Sequence, residues 1–438
     1  MRALLSLWLY SAFMTIAQPL LRRKLKKRAL AEPLYGQFIE ERFGQYAQPQ
    51  HENWIWIHAV SLGETRTAGI LLPHLRAALP GMKLLLTHGT ATGRQEGLKL
   101  LQAGDRQVWQ PWDSANIVSQ FFKAFQPRLG LIMETEVWPH WVDQAKKQQV
   151  PLYLINARMS DKSMRKAMQW PSLMRPAFAG LKAVLAQTAD DAQRFEKLGA
   201  TVSGIVGNIK FDAQADALQM ATAKRWKATQ TKPILMLASS REGEEALWLD
   251  AWQARLQQMG QRVTDSVQCI IVPRHPQRVD EVAQLIQSRG FSVSRRSTWG
   301  PDGPMVGLAP CIYLGDSMGE MSLYYGLADA ALLGGSFEPL GGQNLIEAAA
   351  CGCPVYMGPH TFNFAEASVS AQACGAAIRT PNMSEAIDAA VRLVLHPPMQ
   401  SMHSKNALNF AAQHGGAALR TAQAVQLWMA EIKASAMH

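Results

Sequence analysis

Short apolar runs alternate with helix-period segments along most of this chain, and this alternation constrains the fold more than any other feature. The apolar runs fall at 54–60, 83–89, 128–134, 151–157 and 182–188, and again at 233–240, 268–275, 311–317, 329–336 and 353–358. Helical patterns separate them, for example at 65–79, 114–125 and 189–198. Near-continuous apolar strands that alternate with helices are typical of a parallel sheet covered on both faces. The sequence therefore predicts an α/β fold with two doubly wound, Rossmann-like domains.

A polar segment at 213–232 interrupts the rhythm and is predicted to connect the two domains, because it carries few large apolar residues. A chain of 438 residues is long enough for two domains with separate cores. The predicted division is 1–28 as an apolar and basic segment, 29–212 as the first domain, 233–402 as the second and 403–438 as a C-terminal helix. Doubly wound sheets bind ligands at the carboxyl ends of their strands. We therefore expect the site in a central cleft between two facing domains.

The N-terminus combines an uncharged apolar run at 3–21 with a block of cations. The block consists of Arg22, Arg23, Lys24, Lys26, Lys27 and Arg28. A spanning helix needs about 20 apolar residues, so the run predicts a helix that either spans a membrane or lies on its surface. The positive-inside rule places the basic block and the body of the protein on the cytoplasmic side, and the cations attract an anionic leaflet. A frayed basic helix that binds nothing is the alternative.

Charge and cysteine usage narrow the class of protein further. The chain has 44 Lys and Arg against 34 Asp and Glu, which indicates an anionic partner such as a nucleotide phosphate, a lipid or a nucleic acid. Five irregularly spaced cysteines argue against a disulfide framework and favour a reducing compartment. Cys351 and Cys353 are separated by one residue and have no second pair, so a zinc site is not predicted.

Acidic and basic residues follow the predicted strands of the first half. Glu64 begins a helix after the first strand, where the helix macrodipole keeps a carboxylate ionised, as a general base requires; an ordinary helix cap is the alternative. Glu134 and Glu136 follow the strand at 128–134, where burial is costly unless the carboxylates are paired or functional. They are either sugar-binding groups or part of a solvated loop. Lys210 precedes the connection and either reaches the cleft or lies on the surface.

Four strand ends of the second half suit an anion or a nucleotide. The turn Ser239–Glu244 offers hydroxyls, backbone N–H groups and an Arg to an anion. Pro273-Arg274-His275-Pro276 is either a ligand-binding segment or a rigid turn, and Met318-Gly319-Glu320 begins another helix. The glycine-rich stretch at 334–348 lets the backbone approach a ligand, and Glu347 within it can accept hydrogen bonds from ribose hydroxyls. It matches neither the dinucleotide fingerprint nor the P-loop.

Taken together, these segments resemble the 3-deoxy-D-manno-octulosonic acid (Kdo) transferase family of lipopolysaccharide assembly. The matching segments run in order from residue 58 to 359: HAVSLGE, LTHGTATG, METEVWP, NARMSDKS, GNIKFD, SSREGE, PRHPQR, LGDSMGEMSLYYGLAD and GGSFEPLGGQNLIEAAACGCPVYMGP. ERFG at 41–44 extends the match. The joint pattern is far more specific than any single motif.

The resemblance implies a GT-B glycosyltransferase that moves Kdo from CMP-Kdo to a lipid A precursor (a lipid IVA-type acceptor) with inversion, at the cytoplasmic face of the inner membrane. It implies Glu64 as the general base and Glu134 and Lys210 as transition-state partners. The CMP-binding positions it implies are Pro273, Arg274, Met318, Gly319, Glu320, Asn344, Leu345, Ile346 and Glu347. It also implies that no metal and no cofactor besides the donor substrate is needed.

Two other interpretations of the function stay open at this point. One is a membrane-associated GT-B transferase that uses another nucleotide sugar. The other is a non-catalytic relative that binds anions or nucleic acid, for which exposed aromatics among basic residues are expected. Most of the tryptophans lie in apolar runs or at strand ends, and Glu64 is present, so this reading and a nucleic-acid partner are disfavoured.

Overall fold

The computed structural model describes residues 2–47, 53–259, 266–304 and 311–435. The chain forms two compact units, one made of 1–212 together with 415–438 and the other of 213–414. In the described residues, each unit is built around one parallel sheet of seven strands. The α/β class and the two doubly wound sheets that the sequence predicts are thereby confirmed.

The sheet of the first unit has the strand order β3-β2-β1-β4-β5-β6-β7. Its strands are β1 Trp54–His58, β2 Lys83–His88, β3 Arg106–Trp109, β4 Leu129–Met133, β5 Leu152–Ala157, β6 Ala183–Ala186 and β7 Val202–Ile205. The helices, numbered along the chain, are α1 Arg2–Ile16, α2 Gln18–Ala31, α3 Leu62–Ala78, α4 Ala91–Gly97, α5 Ala115–Phe125, α6 Pro139–Lys147, α7 Asp161–Ala167, α8 Pro171–Ala179, α9 Ala189–Lys197 and the C-terminal α18 Ala417–Ser435.

Both faces of this sheet are covered. On β1, Trp54 and Trp56 belong to one apolar cluster and Ile55 and Ile57 to another, because successive side chains of a strand point to opposite faces. All five residues of β1 are buried. This double burial is why the strands of the sequence read as unbroken apolar runs.

The second sheet has the order β10-β11-β9-β8-β12-β13-β14. Its strands are β8 Ile234–Ser240, β9 Gln268–Pro273, β10 Ser292–Arg295, β11 Cys311–Leu314, β12 Ala330–Leu333, β13 Val355–Met357 and β14 Ala377–Arg379. Its helices are α10 Ala217–Lys227, α11 Glu244–Met259, α12 Val279–Ser288, α13 Met321–Leu327, α14 Leu345–Ala350, α15 Ala365–Ala373, α16 Met383–Val394 and α17 Pro397–His414.

The structure corrects two of the predicted boundaries. The segment 213–232 is mostly the helix α10, which packs against α13 inside the second unit. It looked like a connection because only Ala223 and Trp226 of this helix are buried. The predicted C-terminal helix 403–438 is divided by Gly415-Gly416: its first part belongs to α17 in the second unit, and α18 packs against α3 in the first.

The N-terminal helices carry exposed apolar side chains. Trp8 and Phe13 of α1 are each 66% exposed, whereas Met14 is buried. In the described part of the chain no single helix is long and apolar enough to cross a membrane; by length and composition, the segments Leu4–Ile16 and Gln18–Ala31 meet that criterion only as a pair bent by 48°.

Replacing Trp428 by Ala should destabilise the first unit. The Trp428 ring is 8% exposed and stacks on Tyr153 with 3.9 Å between ring centres, so the change leaves a cavity and lowers the free energy of unfolding by about 3 kcal/mol. The neighbouring Leu427 is 66% exposed, and Leu427→Ala should cost less than about 0.5 kcal/mol. Urea denaturation measures both. Equal losses in the two variants would contradict the assignment of α18 to this core.

Candidate functional site

The strand order of the first sheet reverses between β1 and β4, which lie side by side. The loops that leave two such strands diverge and form a crevice at their carboxyl ends. Glu64 follows β1 and Glu134 follows β4. Two of the acidic residues predicted from the sequence therefore lie at the point where a doubly wound sheet binds its ligand.

Glu64 takes part in the N-terminal cap of its own helix. The side chain of Ser61, the N-cap residue of α3, accepts a hydrogen bond from the Glu64 N–H at 3.3 Å. In return, the Glu64 carboxylate accepts hydrogen bonds from the Ser61 hydroxyl and the Val60 N–H, each at 2.9 Å. This reciprocal arrangement resembles a capping box. Glu64 is 9% exposed, so its carboxylate is held in a fixed position near the surface.

Burial raises the pKa of Glu64 to about 7. The carboxylates of Glu134 and Glu136 act in the same direction, whereas the hydrogen bonds from Val60 and Ser61 lower the pKa. A carboxylate with a pKa near neutrality can take up a proton in a reaction and release it afterwards. The raised pKa of Glu64 is thus more typical of a general base than of an ordinary helix cap.

Glu134 and Lys210 form an ion pair, with 2.9 Å between Lys210 Nζ and Glu134 Oε1. The two side chains are 21% and 28% exposed, so the pair is accessible from solvent. The backbone of Glu134 has a φ of 58°, in the left-handed region that costs energy for any residue except glycine. Its N–H donates to the carbonyl of Ile155 at 3.1 Å, which holds this conformation in place.

The position of Lys210 depends on Asn156, which sequence analysis did not single out. The Asn156 side-chain oxygen accepts a hydrogen bond from the Ile209 N–H at 3.0 Å, and Gln187 donates to the Asn156 carbonyl at 2.9 Å. Asn156 has a φ of 48° at an irregularity in the pairing of β5 with β6. Asparagine is among the few residues that adopt this conformation readily. An Asn inside the apolar strand run 151–157 was the available signal.

Asp113 is a second residue that sequence analysis did not single out. It accepts hydrogen bonds from the backbone N–H groups of His140 and Trp141, at the start of α6, and from the Tyr10 hydroxyl of α1 at 2.8 Å. Burial raises the pKa of Asp113 to about 7. Since α6 directly follows the Glu134 loop, Asp113 fixes the end of that loop and attaches α1 to it.

The glycine-rich loop of the second unit is held by an internal carboxylate. Glu244, which is fully buried, accepts hydrogen bonds from the N–H groups of Gly335 at 2.6 Å, Phe337 at 3.1 Å and Arg241 at 2.9 Å. The turn in which sequence analysis expected an external anion therefore supplies an anion of its own. Its role is to shape the loop after β12, next to β8 at the point where this sheet changes strand order.

A buried ion pair fixes the segment that contains Pro273 and Arg274. Arg278 donates to both carboxylate oxygens of Glu245, at 2.8 and 3.1 Å, and the Ser240 hydroxyl donates to the same carboxylate at 2.7 Å. The Arg274 N–H donates to the Ser240 carbonyl at 2.9 Å. The backbone at the end of β9 is thereby attached to the end of β8.

The other predicted nucleotide-binding positions also follow strands of the second sheet. Met318 is 65% exposed and Gly319 has a φ of 78°. Asn344 caps α14 through a hydrogen bond from the Ile346 N–H at 3.0 Å. Leu345 and Ile346 are each 1% exposed, so their side chains belong to the core and only their backbone is left for a ligand.

The raised pKa of Glu64 should appear in the pH dependence of stability. A carboxyl whose pKa is raised in the folded state stabilises the protein below its unfolded pKa, and this contribution is lost as the pH rises through about 7. Glu64→Gln removes the titration. Relative to this variant, the parent should therefore lose about 2 kcal/mol of stability between pH 5 and pH 8. Urea denaturation at both pH values measures the difference. If the difference in the free energy of unfolding between the parent and Glu64→Gln does not change with pH, the pKa of Glu64 lies in its ordinary range.

Comparisons with known proteins identify the family of this chain. The family model described as "3-Deoxy-D-manno-octulosonic-acid transferase (kdotransferase)" matches residues 37–213. The 3-deoxy-D-manno-octulosonic acid transferase of Bordetella pertussis is 42% identical over 86% of this chain and 87% of its own length. The enzyme of the same name from Haemophilus influenzae is 30% identical over 88% of this chain and 90% of its own.

A solved structure shows the same fold at low sequence identity. A glycosyltransferase from Rickettsia africae is 14% identical and superimposes with a TM-score of 0.53 over 86% of this chain and 99% of its own. The predicted GT-B fold is thereby confirmed. Given this fold and the identity across most of the sequence, the chain belongs to the 3-deoxy-D-manno-octulosonic acid (Kdo) transferase family and is a glycosyltransferase.

Proposed function

We propose that this enzyme transfers Kdo from CMP-Kdo to a lipid A precursor of the lipid IVA type, with inversion, and that Glu64 is the general base. The observation that carries the proposal is the buried Glu64 carboxylate at the crevice of the first sheet, beside the loop that holds the Glu134–Lys210 ion pair. Family membership supports the sugar that is transferred.

The reaction requires one displacement. The acceptor hydroxyl gives its proton to Glu64 while its oxygen forms a bond to the anomeric carbon of Kdo. The bond from that carbon to the phosphate oxygen breaks, and CMP leaves with the electron pair. A base with a pKa near 7 is ionised in a large fraction of molecules at neutral pH and accepts this proton without a large penalty.

Glu134 and Lys210 are proposed to stabilise the transition state. The Lys210 ammonium attracts an anionic substrate group and offsets the charge that develops as CMP leaves. Its partner Glu134 holds the ammonium in place at 2.9 Å. With the charge supplied by side chains and backbone N–H groups, we propose that transfer needs no divalent metal and continues in the presence of EDTA.

The loops of the second unit are proposed to bind the CMP part of the donor. The residues in question are Pro273, Arg274, Met318, Gly319, Glu320, Asn344 and Glu347, together with the backbone of Leu345 and Ile346. Pro273 is the last residue of β9 and the others follow strands of the second sheet, where a doubly wound domain binds its nucleotide. The fixed backbones after β8, β9 and β12 support this proposal because they shape the binding loops in advance.

Replacing Glu64 by Gln should reduce transfer at least about a hundredfold and leave CMP affinity unchanged, because the amide keeps the shape but accepts no proton. The assay is Kdo transfer from CMP-Kdo to a tetraacylated lipid A precursor in EDTA, with calorimetry for CMP. For the parent, kcat/KM should rise with pH and level off above about 7.

Glu96→Gln provides the matched control, since Glu96 forms surface ion pairs with Arg66 and Lys99 in the same unit. It should retain parental activity. If the parent binds CMP but transfers no Kdo, the proposed acceptor is wrong. If the parent binds no CMP, the proposed donor is wrong. Transfer that stops in EDTA and returns with a divalent metal would contradict the metal-free mechanism.

The first helix is proposed to hold the enzyme at the cytoplasmic face of the inner membrane. Trp8 and Phe13 offer exposed aromatic surface, and the cations of α2 follow directly. Aromatic residues prefer the membrane interface, and clustered cations prefer anionic lipid. The lipid acceptor is available at the same surface.

Replacing Trp8 and Phe13 together by Ser should weaken binding to vesicles that contain anionic lipid by roughly a hundredfold, because two large apolar side chains no longer enter the interface. Phe362 is 60% exposed in the second unit, and Phe362→Ser should bind vesicles like the parent. Vesicle sedimentation measures both. Equal binding by the double variant and the parent would contradict the role of α1.

A further inference from the structure

The loop 316–320 carries three of the proposed CMP-binding positions, and it is held by side chains that have no assigned role. We propose that Arg296 is a positioning residue for nucleotide binding, which holds Glu320 in place without touching the nucleotide itself. The inference rests on the proposed function, because it takes Met318, Gly319 and Glu320 as part of the donor site.

Arg296 follows β10 and reaches Glu320 through a charge-assisted hydrogen bond of 2.9 Å from its Nη2 to Oε1. The guanidinium carbon lies 4.9 Å from the ring centre of Trp226 and 5.8 Å from that of Trp299. Both distances are within the range of cation–π attraction. The Arg296 side chain is only 20% exposed, so the two rings and the carboxylate together define its orientation.

The next residue, Ser297, holds the opposite end of the loop. Its N–H and its hydroxyl donate to the two carboxylate oxygens of Asp316, at 2.8 and 2.6 Å. The segment 296–297 therefore contacts both the first and the last residue of the loop 316–320. Such a pair of contacts fixes the distance between the loop ends as well as the direction of the Glu320 side chain.

Gln219 of α10 contacts the same loop from another helix. Its side-chain nitrogen donates to the Gly319 carbonyl at 2.9 Å, and its side-chain oxygen accepts a hydrogen bond from the Leu323 N–H at 3.2 Å. Gly319 has a φ of 78°, which only glycine adopts at low cost. The loop is thus built before any ligand arrives, and binding does not have to order it.

The charge of Arg296 has a second effect on an anionic ligand. Glu320 is a carboxylate in a loop proposed to bind a phosphate-containing nucleotide, and two negative groups at close range repel each other. Arg296 balances the Glu320 charge locally. A lysine keeps the charge but lacks the planar group that stacks on tryptophan and donates in a fixed direction. Lysine should therefore replace Arg296 only in part.

The test measures the CMP dissociation constant by calorimetry for the parent, Arg296→Met and Arg296→Lys. We expect roughly tenfold weaker binding for Arg296→Met, the size of one lost charge-assisted hydrogen bond, and an intermediate loss for Arg296→Lys. Arg295→Met is the matched control: this neighbour pairs with the exposed Asp280 and, in the described structure, forms no hydrogen bond or ion pair with the loop. Its CMP affinity should stay within about twofold of the parent.

A double-mutant cycle with Glu320→Gln separates positioning from direct contact. If Arg296 acts through Glu320, the double variant binds CMP no more weakly than Glu320→Gln alone. In transfer assays, Arg296→Met should raise the KM for CMP-Kdo and leave kcat and the KM for the acceptor near parental values.

Three results would overturn the inference. They are unchanged CMP affinity in Arg296→Met, additive losses in the cycle, and an equal loss in Arg295→Met. Thermal unfolding identifies a variant that does not fold, in which case Arg296→Lys decides the question. If the parent binds no CMP, the proposed function is wrong. If the parent binds CMP and its affinity does not depend on Arg296, only the inference about Arg296 is wrong.

Discussion

Burial of the central strands on both faces is the constraint on which the rest of this structure depends. A strand such as Trp54–His58 has all its side chains inside the protein, and polar groups there must find internal partners. The candidate functional residues therefore follow the strands. In the first unit these are Glu64 and Glu134, and in the second they are the glycine-rich loop and the loop 316–320.

Buried carboxylates shape several of these strand ends. Glu244 binds the N–H groups of the glycine-rich loop, and Asp113 binds those at the start of α6. Each carboxylate replaces an external anion at backbone donors that would otherwise be unsatisfied. The half-buried Asp212 does the same at the start of α18, where it accepts from the N–H groups of Gly416 and Ala418. At these positions the carboxylates thus stabilise the fold by satisfying backbone N–H groups.

The sequence predicted the interior of both sheets and missed their edges. The strands it did not predict are Arg106–Trp109, Val202–Ile205, Ser292–Arg295 and Ala377–Arg379. All four are edge strands. An edge strand is short and partly exposed, so it lacks the continuous apolar run by which a central strand is recognised. Val202–Ile205, for example, alternates between half-buried and exposed residues.

The candidate site residues that lie next to strand ends could be predicted, whereas residues that contact them from distant parts of the chain could not. Glu64, Glu134 and Lys210 stand beside strand ends and could be named from the sequence. Asn156 supports Lys210 through the Ile209 N–H, 53 residues further along the chain. Arg296 likewise contacts Glu320, 24 residues away. Such pairings depend on strand order, and no local pattern contains that information.

Local sequence left two interpretations of Glu64 open, a helix cap and a general base, and the observed arrangement is compatible with both. Ser61 caps α3 by accepting a hydrogen bond from the Glu64 N–H. The hydrogen bonds that the Ser61 hydroxyl and the Val60 N–H donate in return hold the Glu64 carboxylate in one orientation. They lower its pKa, while burial raises it by more, and the balance lies at about 7. A cap exposed to solvent would have the ordinary pKa of a glutamate, and a buried carboxylate without these bonds would stay protonated at neutral pH. Partial burial combined with capping gives a group that is both fixed and able to exchange a proton, and that combination is what a base in a single-step displacement requires.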